Sequence, residues 1–278
     1  MKLPRGFCVP LLALVCTTVS AQQEKSSFSD LAVLAPKLVR LQNQFEQMVP
    51  PGVSIEAREV YRKGTPGIDL QVRYNIYVKG APPDSTFRQI QWPVNRESPV
   101  GGFTGITLNS DGLMICAGRT PEQCHNGTAV DAPIQFTRIK PLKGEPMRFA
   151  FIAQDLKISI SFVPDPVQSE DKGCKLSAVR LSAKFELALI EASGFPPNSD
   201  LLMHSSNGDT PGVIATIGEN GAVAATDPAS GVPVKSDAKG AFQISILNNT
   251  TKSPKGTQTI ELSAPGCSPK ITYDWGVF

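Results

Sequence analysis

Gly80-Ala81-Pro82-Pro83-Asp84-Ser85 closes a run in which apolar and polar residues alternate, and Gly194-Phe195-Pro196-Pro197-Asn198-Ser199 does the same further along the chain. A glycine lets the backbone bend without a side-chain clash, and consecutive prolines cannot donate to a ladder. Each stretch therefore reads as a corner at which a strand leaves its sheet. A Lys-Gly step follows each corner: 64 positions separate Gly80 from Gly144, and 62 separate Gly194 from Gly256. A pattern written twice at such spacing predicts two tandem β modules rather than one large domain.

The strand before the first corner is plain. Ile68, Leu70, Val72, Tyr74, Ile76 and Val78 alternate with Asp69, Gln71, Arg73, Asn75, Tyr77 and Lys79. A period of two marks a strand with one buried and one wet face. Phe149-Ala150-Phe151, Ile158 to Phe162, Phe242 to Ile246 and Ile260 to Ala264 repeat it, and turn residues stand between: Asn109-Ser110-Asp111-Gly112, Ser236-Asp237-Ala238-Lys239-Gly240, Pro164-Asp165-Pro166. Short strands with such punctuation predict antiparallel sandwiches. The expected division is a leader over 1–21, a helical segment over 22–50, a first β-sandwich over 51–168 and a second over 169–278.

The leader is read from Lys2 and Arg5, the apolar stretch Phe7 to Cys16, and the small residues Val19-Ser20-Ala21. That is the pattern of a secretory signal cleaved after Ala21, and the apolar stretch is too short for a membrane anchor. No later segment is long and apolar enough to span a bilayer, so the expected product is secreted, periplasmic or extracellular. Cleavage removes two of 27 basic residues and none of 25 acidic ones, leaving 25 against 25. A balanced charge with scattered lysines argues against nucleic acid or an anionic membrane surface as partner.

Four cysteines remain after cleavage: Cys116, Cys124, Cys174 and Cys267. In an oxidising compartment they read as two disulfides, with three pairings open. The duplication selects Cys116–Cys124 within the first module and Cys174–Cys267 across the second. Loop entropy assigns about 2.5 kcal/mol to the short loop and about 4.6 kcal/mol to the long one.

Strand, Gly-Phe-Pro-Pro-Asn-Ser, strand resembles the opening of immunoglobulin-like modules of exported bacterial proteins. Ser236-Asp237-Ala238-Lys239-Gly240-Ala241-Phe242 resembles the hairpin of carboxypeptidase-regulatory, transthyretin-like modules. The likeness covers 184–278 tolerably and 52–168 more loosely. It implies an all-β fold of two tandem antiparallel immunoglobulin-like sandwiches with an N-terminal α-helix. It implies adhesion, spacing or ligand binding rather than catalysis, and brings no catalytic residue or cofactor.

Leu31, Leu34, Leu38, Leu41, Phe45 and Met48 recur at spacings of three and four, an apolar seam of about two and a half heptads. Pro36 inside it predicts a kink or a helix that begins there. The seam serves either to dock one helix on its own sandwich or to form a homodimer through residues 31–48.

The catalytic inventory is thin. His125 and His204 stand in no nucleophile motif. A zinc site from Cys116, Cys124 and His125 is outweighed by the disulfide. Asp227 and Asp237 fall in loops without calcium-loop spacing. No catalytic residue, cofactor or metal is therefore assigned. If a ligand surface exists, the aromatics Tyr77 and Trp92 with Arg119 and His125 are its candidates, since residues 92–130 are where the two copies differ most; the competing and favoured reading of Trp92 is an anchor of its own core. The expected function is a non-catalytic structural or interaction protein (adhesion, assembly or surface scaffold) with a protein or polysaccharide partner. The alternative is a module for carbohydrate or another ligand.

Overall fold

The computed structural model describes residues 28–117, 131–183, 187–207, 210–211, 214–217, 223–226, 231–247 and 255–276. Apart from one helix, α1 (Phe28–Gln47), its regular elements are strands. The expected leader over 1–21 and its expected cleavage site lie outside the described residues.

The first half supplies β1 (Ser54–Lys63), β2 (Gln71–Lys79), β3 (Arg88–Gln91), β4 (Val100–Gly101) and β5 (Ile106–Leu108). It continues with β6 (Met114–Cys116), β7 (Gln135–Ile139), β8 (Met147–Ile152) and β9 (Lys157–Phe162). Sheet β1-β2-β7 faces sheet β4-β3-β8-β9 across a common core, with the small β5-β6 pair beside them. The second half supplies β10 (Val167–Asp171), β11 (Cys174–Ser182), β12 (Leu187–Ser193), β13 (Asp200–Asn207) and β14 (Thr210–Pro211). Then come β15 (Ile214–Ile217), β16 (Val223–Thr226), β17 (Val232–Lys235), β18 (Phe242–Leu247), β19 (Lys255–Ser263) and β20 (Lys270–Gly276). Sheet β10-β11-β12-β18-β15-β16 packs on sheet β14-β13-β19-β20, with β17 also paired to β13. All strand pairs are antiparallel, as the alternation predicts.

The corners are built twice from the same parts. Gly80 and Gly194 both have φ of 78°, and a Cβ on them would sit 2.0 Å and 2.1 Å from the carbonyl oxygens of Gly52 and Gly173. A second glycine completes each corner. Gly112 and Gly240 lie in the left-handed region, and a Cβ there would meet Val78 O at 2.2 Å and Phe195 O at 1.9 Å. Each closes a side-chain-capped turn. Asn109 Oδ1 accepts from the N–H groups of Asp111 and Leu113, and Asp237 Oδ1 from those of Lys239 and Ala241. Only glycine lets one backbone approach another so closely.

The equal spacing of the Lys-Gly steps does not mark equivalent elements. Lys255-Gly256 begins β19, whereas Gly144 has φ of 75° in a turn that docks on the second sandwich. The true repeat is the pair of glycine corners.

A third core joins the halves. Ala35, Leu38 and Phe45 of α1 pack with Trp92 and Ala150 of the first sandwich and Val179, Leu181, Leu187 and Leu189 of the second. Leu34 and Leu41 pack against the same cluster, so the predicted apolar seam is engaged within the chain. The helix starts upstream of Pro36 and runs through it, at the expense of one helical hydrogen bond. Burial of side chains such as Leu38 and Phe45 contributes about 2 kcal/mol each and outweighs that loss. Ser159 of β9 caps the C-terminus: its hydroxyl donates to Phe45 O at 2.6 Å and its N–H to Met48 O at 2.8 Å. It thereby satisfies carbonyls the last turn leaves open.

Two buried arginines reinforce the junction. Arg148 donates through Nη2 to Arg180 O at 2.6 Å, and its guanidinium lies 3.8 Å from the centroid of Trp92. Arg180 donates through Nε to Lys143 O at 2.9 Å and also bonds Asp274 O. Burial pulls Arg148 down to about 9, with Glu46 and Glu145 opposing the shift.

Candidate functional site

The structure does not gather the four residues proposed for a ligand surface. Tyr77 is half-buried on β2, where the Arg58 guanidinium covers its ring at 4.2 Å. Trp92 is not an exposed platform: 1% of it is accessible. Its ring is sandwiched with Phe45 and Arg148, and its indole N–H donates to Arg96 O at 2.9 Å. It is a core anchor, the favoured of its two sequence readings, and the helix that covers it comes from some fifty residues upstream. Arg119 and His125 lie outside the described residues. A cavity of about 430 Å³ opens beside Trp92, bounded by Gln89, Gln91, Phe103, Arg138 and Arg148. The nitrogens Nε and Nη1 of Arg148 lack partners but are sealed from solvent, so they offer this cavity no contact.

Cys174 and Cys267 are disulfide-bonded with their Cα atoms 6.2 Å apart, as expected. Cys116 is disulfide-bonded as well, which removes it as a zinc thiolate; Cys124, its expected partner, lies outside the described residues. His204 is half-buried on β13, facing Glu261 in register. Among the described residues no three His, Cys, Asp or Glu side chains stand close enough to hold a metal. None of the helices among them is long and apolar enough to cross a membrane.

A larger opening than this cavity lies elsewhere, on the outer face of the six-stranded sheet. Strand register divides that face. Val179 and Leu189 are direct partners, and Leu189 pairs Ser245 on the other side; with Leu181, Leu187 and Leu247 they form the half covered by α1. One side-chain step further, Gln168 pairs Ser177, Ser177 pairs Glu191, and Glu191 pairs Gln243. This polar ladder crosses β10, β11, β12 and β18 and floors a cleft of about 1160 Å³. Its rims carry Glu170 and Lys175 on one side and Lys235 and Asp237 on the other.

Glu191 is the chemically distinctive member. Burial pushes its carboxyl up to about 7, the charge of Glu46 at the end of α1 adds to that, and hydrogen bonds from Gln243 and Ser177 oppose it. Gln243 Nε2 donates to Glu191 Oε1 at 3.0 Å. Sequence reading passed over this residue, although one signal was visible: a lone charge in the apolar run Leu187-Ala188-Leu189-Ile190-Glu191-Ala192. The cleft can bind through neutral donors and acceptors and can take up a proton near neutrality.

No protein-family model matches the chain, and no curated protein matches it. Among solved structures it is similar to a β-glucuronidase from glycoside hydrolase family 2, at 12% identity and a TM-score of 0.26 over 82% of this chain and 20% of that one. A chain from the structure of manganese lipoxygenase of Gaeumannomyces graminis with partial zonadhesin of Komagataella pastoris aligns at 12% identity and a TM-score of 0.23, covering 82% and 95% of the two chains. The human OSCAR ligand-binding domain aligns at 13% identity and a TM-score of 0.20, covering 82% and 98%. The chain spans a fifth of the glucuronidase, and likenesses at these scores carry no argument about activity or ligand.

Proposed function

We propose that the chain is an exported, non-catalytic interaction protein whose two sandwiches act as one rigid unit. The observation that carries this reading is the third core, in which α1 packs both sandwiches at once. Modules joined by a flexible linker move independently, whereas a shared apolar core with buried arginine bridges holds a fixed geometry. Such geometry suits a scaffold that presents surfaces at a set spacing. Glu191, the described carboxyl raised to about 7, has the neutral hydrogen-bonding neighbours Gln243 and Ser177, a setting suited to contact with a polar ligand. The disulfide spanning the second sandwich agrees with an oxidising destination.

The test uses the oxidised chain from Gln22 onward. Chromogenic esters and glycosides should show no turnover above buffer, and small-angle scattering should fit one rigid body. Turnover that disappears in Glu191→Gln would overturn the reading. Amino-terminal sequencing of the exported protein should begin at Gln22.

A further inference from the structure

The open half of the six-stranded face differs from an ordinary solvated sheet surface in being concave, balanced in charge and laddered. Gln168, Ser177, Glu191 and Gln243 are successive lateral partners, so amide, hydroxyl, carboxyl and amide follow one another across about 14 Å at the usual strand spacing. The charged groups around them cancel: Lys175 pairs Glu170 at 3.4 Å, and Lys235 stands on the same rim as Asp237. The ladder itself carries no aromatic side chain, and Phe242, which also lines the cleft, packs half-buried against the core of the second sandwich, so hydrogen bonding is the main means of recognition.

We infer that this cleft binds a neutral, hydroxyl-rich chain of the oligosaccharide class, laid across β10, β11, β12 and β18. Hydroxyl groups both donate and accept, which matches a ladder whose amides and hydroxyl do the same. An anionic ligand would have to displace the Lys175–Glu170 pair and would meet the Glu191 carboxyl, whose ionised form Glu46 already disfavours. The inference goes beyond the scaffold reading by assigning a ligand class and a site.

Binding should depend on protons. Ser177 and Gln243 flank Glu191 from the neighbouring strands, Glu46 faces it from α1, and the rim charges are those of Glu170, Lys175, Lys235 and Asp237. Covering a neutral carboxylic acid with ligand costs far less than covering a carboxylate. The acid form also gains a donor toward a ligand oxygen. With the carboxyl titrating at about 7, affinity should fall about tenfold between pH 6 and pH 8.

The experiment titrates the full mature chain, disulfides intact, with maltohexaose, cellohexaose, xylohexaose and chitohexaose, followed by calorimetry and amide NMR shifts. The expected result is binding of at least one probe, with shifts at residues 168, 177, 191 and 243 and about tenfold weakening from pH 6 to pH 8. Glu191→Gln, whose amide does not titrate, should show the same affinity at pH 6 and pH 8. The pair Ser177→Val with Gln243→Leu, both at outward positions that leave the core untouched, should abolish it. Binding unaffected by that pair overturns the site. Binding of none of the four probes, or a preference for polygalacturonate, overturns the ligand class. The scaffold reading stands or falls separately, on the turnover and scattering measurements.

Discussion

The core of the first sandwich is richer in aromatic rings than that of the second, in which Phe195 and Tyr273 are the buried ones. Tyr74 meets Phe162 at 4.6 Å, and Phe136 meets Phe149 at 4.8 Å and Phe151 at 5.8 Å. Such rings bury much area and add edge-to-face attraction. The second core is built on Leu176, Ile190, Met203, Ile246, Ile260, Leu262 and Ile271, with the small Ala178, Ala188 and Ala192 between them. It is tied from β11 to the turn after β19 by Cys174–Cys267. Both halves use the same two-glycine corner. Topology here follows from turns and strand alternation, while the source of stability is free to differ between copies.

Breaking the tie should hurt the second copy most. Cys174→Ser with Cys267→Ser should cost about 4.6 kcal/mol by loop entropy. Hydrogen exchange in denaturant should show β11, β19 and β20 opening while β2 and β8 stay protected. A loss below about 1 kcal/mol, or equal opening of both copies, would remove the contrast.

The corners should respond alike in both copies. Gly194→Ala must push a Cβ into Gly173 O, and Gly80→Ala into Gly52 O, so each should cost at least about 3 kcal/mol. Gly173 and Gly52 have positive φ but nothing within 4 Å of an added Cβ, and alanine there should cost about 1 kcal/mol. Chemical unfolding of the four variants measures this. A large difference between Gly194→Ala and Gly80→Ala would show that the corners are not equivalent.

The helix couples the copies. Leu38 is fully buried in the shared core, and Leu38→Ala should cost about 3 kcal/mol. The sharper readout is cooperativity: one unfolding transition in the parent and two in the variant, as each sandwich melts alone. A single shifted transition would mean that Arg148 and Arg180 carry the coupling without the helix.

The corners, strand alternation and the long disulfide were legible because each is local or repeated. Val72, Tyr74 and Ile76 announce a buried face within five residues, and glycine followed by two prolines announces a corner. Trp92 was legible as a core anchor, but its partners Phe45 and Arg148 were not, since they are distant in sequence. The polar ladder was hidden for a related reason. Ser177, Glu191 and Gln243 are unremarkable alone and become a site only through the register of three strands, which periodicity does not supply. The Lys-Gly spacing misled because equal separation says nothing about local conformation.

The smallest effect sharpens the comparison from its electrostatic side, because Glu191 belongs to the second copy alone. Its carboxyl titrates at about 7 in the fold against an ordinary value of 4.5, through burial first and the charge of Glu46 second. Between those values the folded chain keeps a proton that the unfolded chain has released, so stability falls as pH rises. The contribution is whole below about 4.5 and lost as pH passes through about 7. Partial exposure reduces it to the order of 1 kcal/mol. Glu56, Glu59 and Asp237 are held below their ordinary values by Arg58, Arg62 and backbone N–H groups respectively, and act in the opposite direction at more acid pH. Their influence is therefore separable from that of Glu191. Denaturant unfolding of the parent and Glu191→Gln at intervals from pH 5 to pH 8 should give a declining curve for the parent and a flatter one for the variant. Parallel curves would mean that ionised Glu191 costs the fold nothing, and that the end of α1 does not sense its charge.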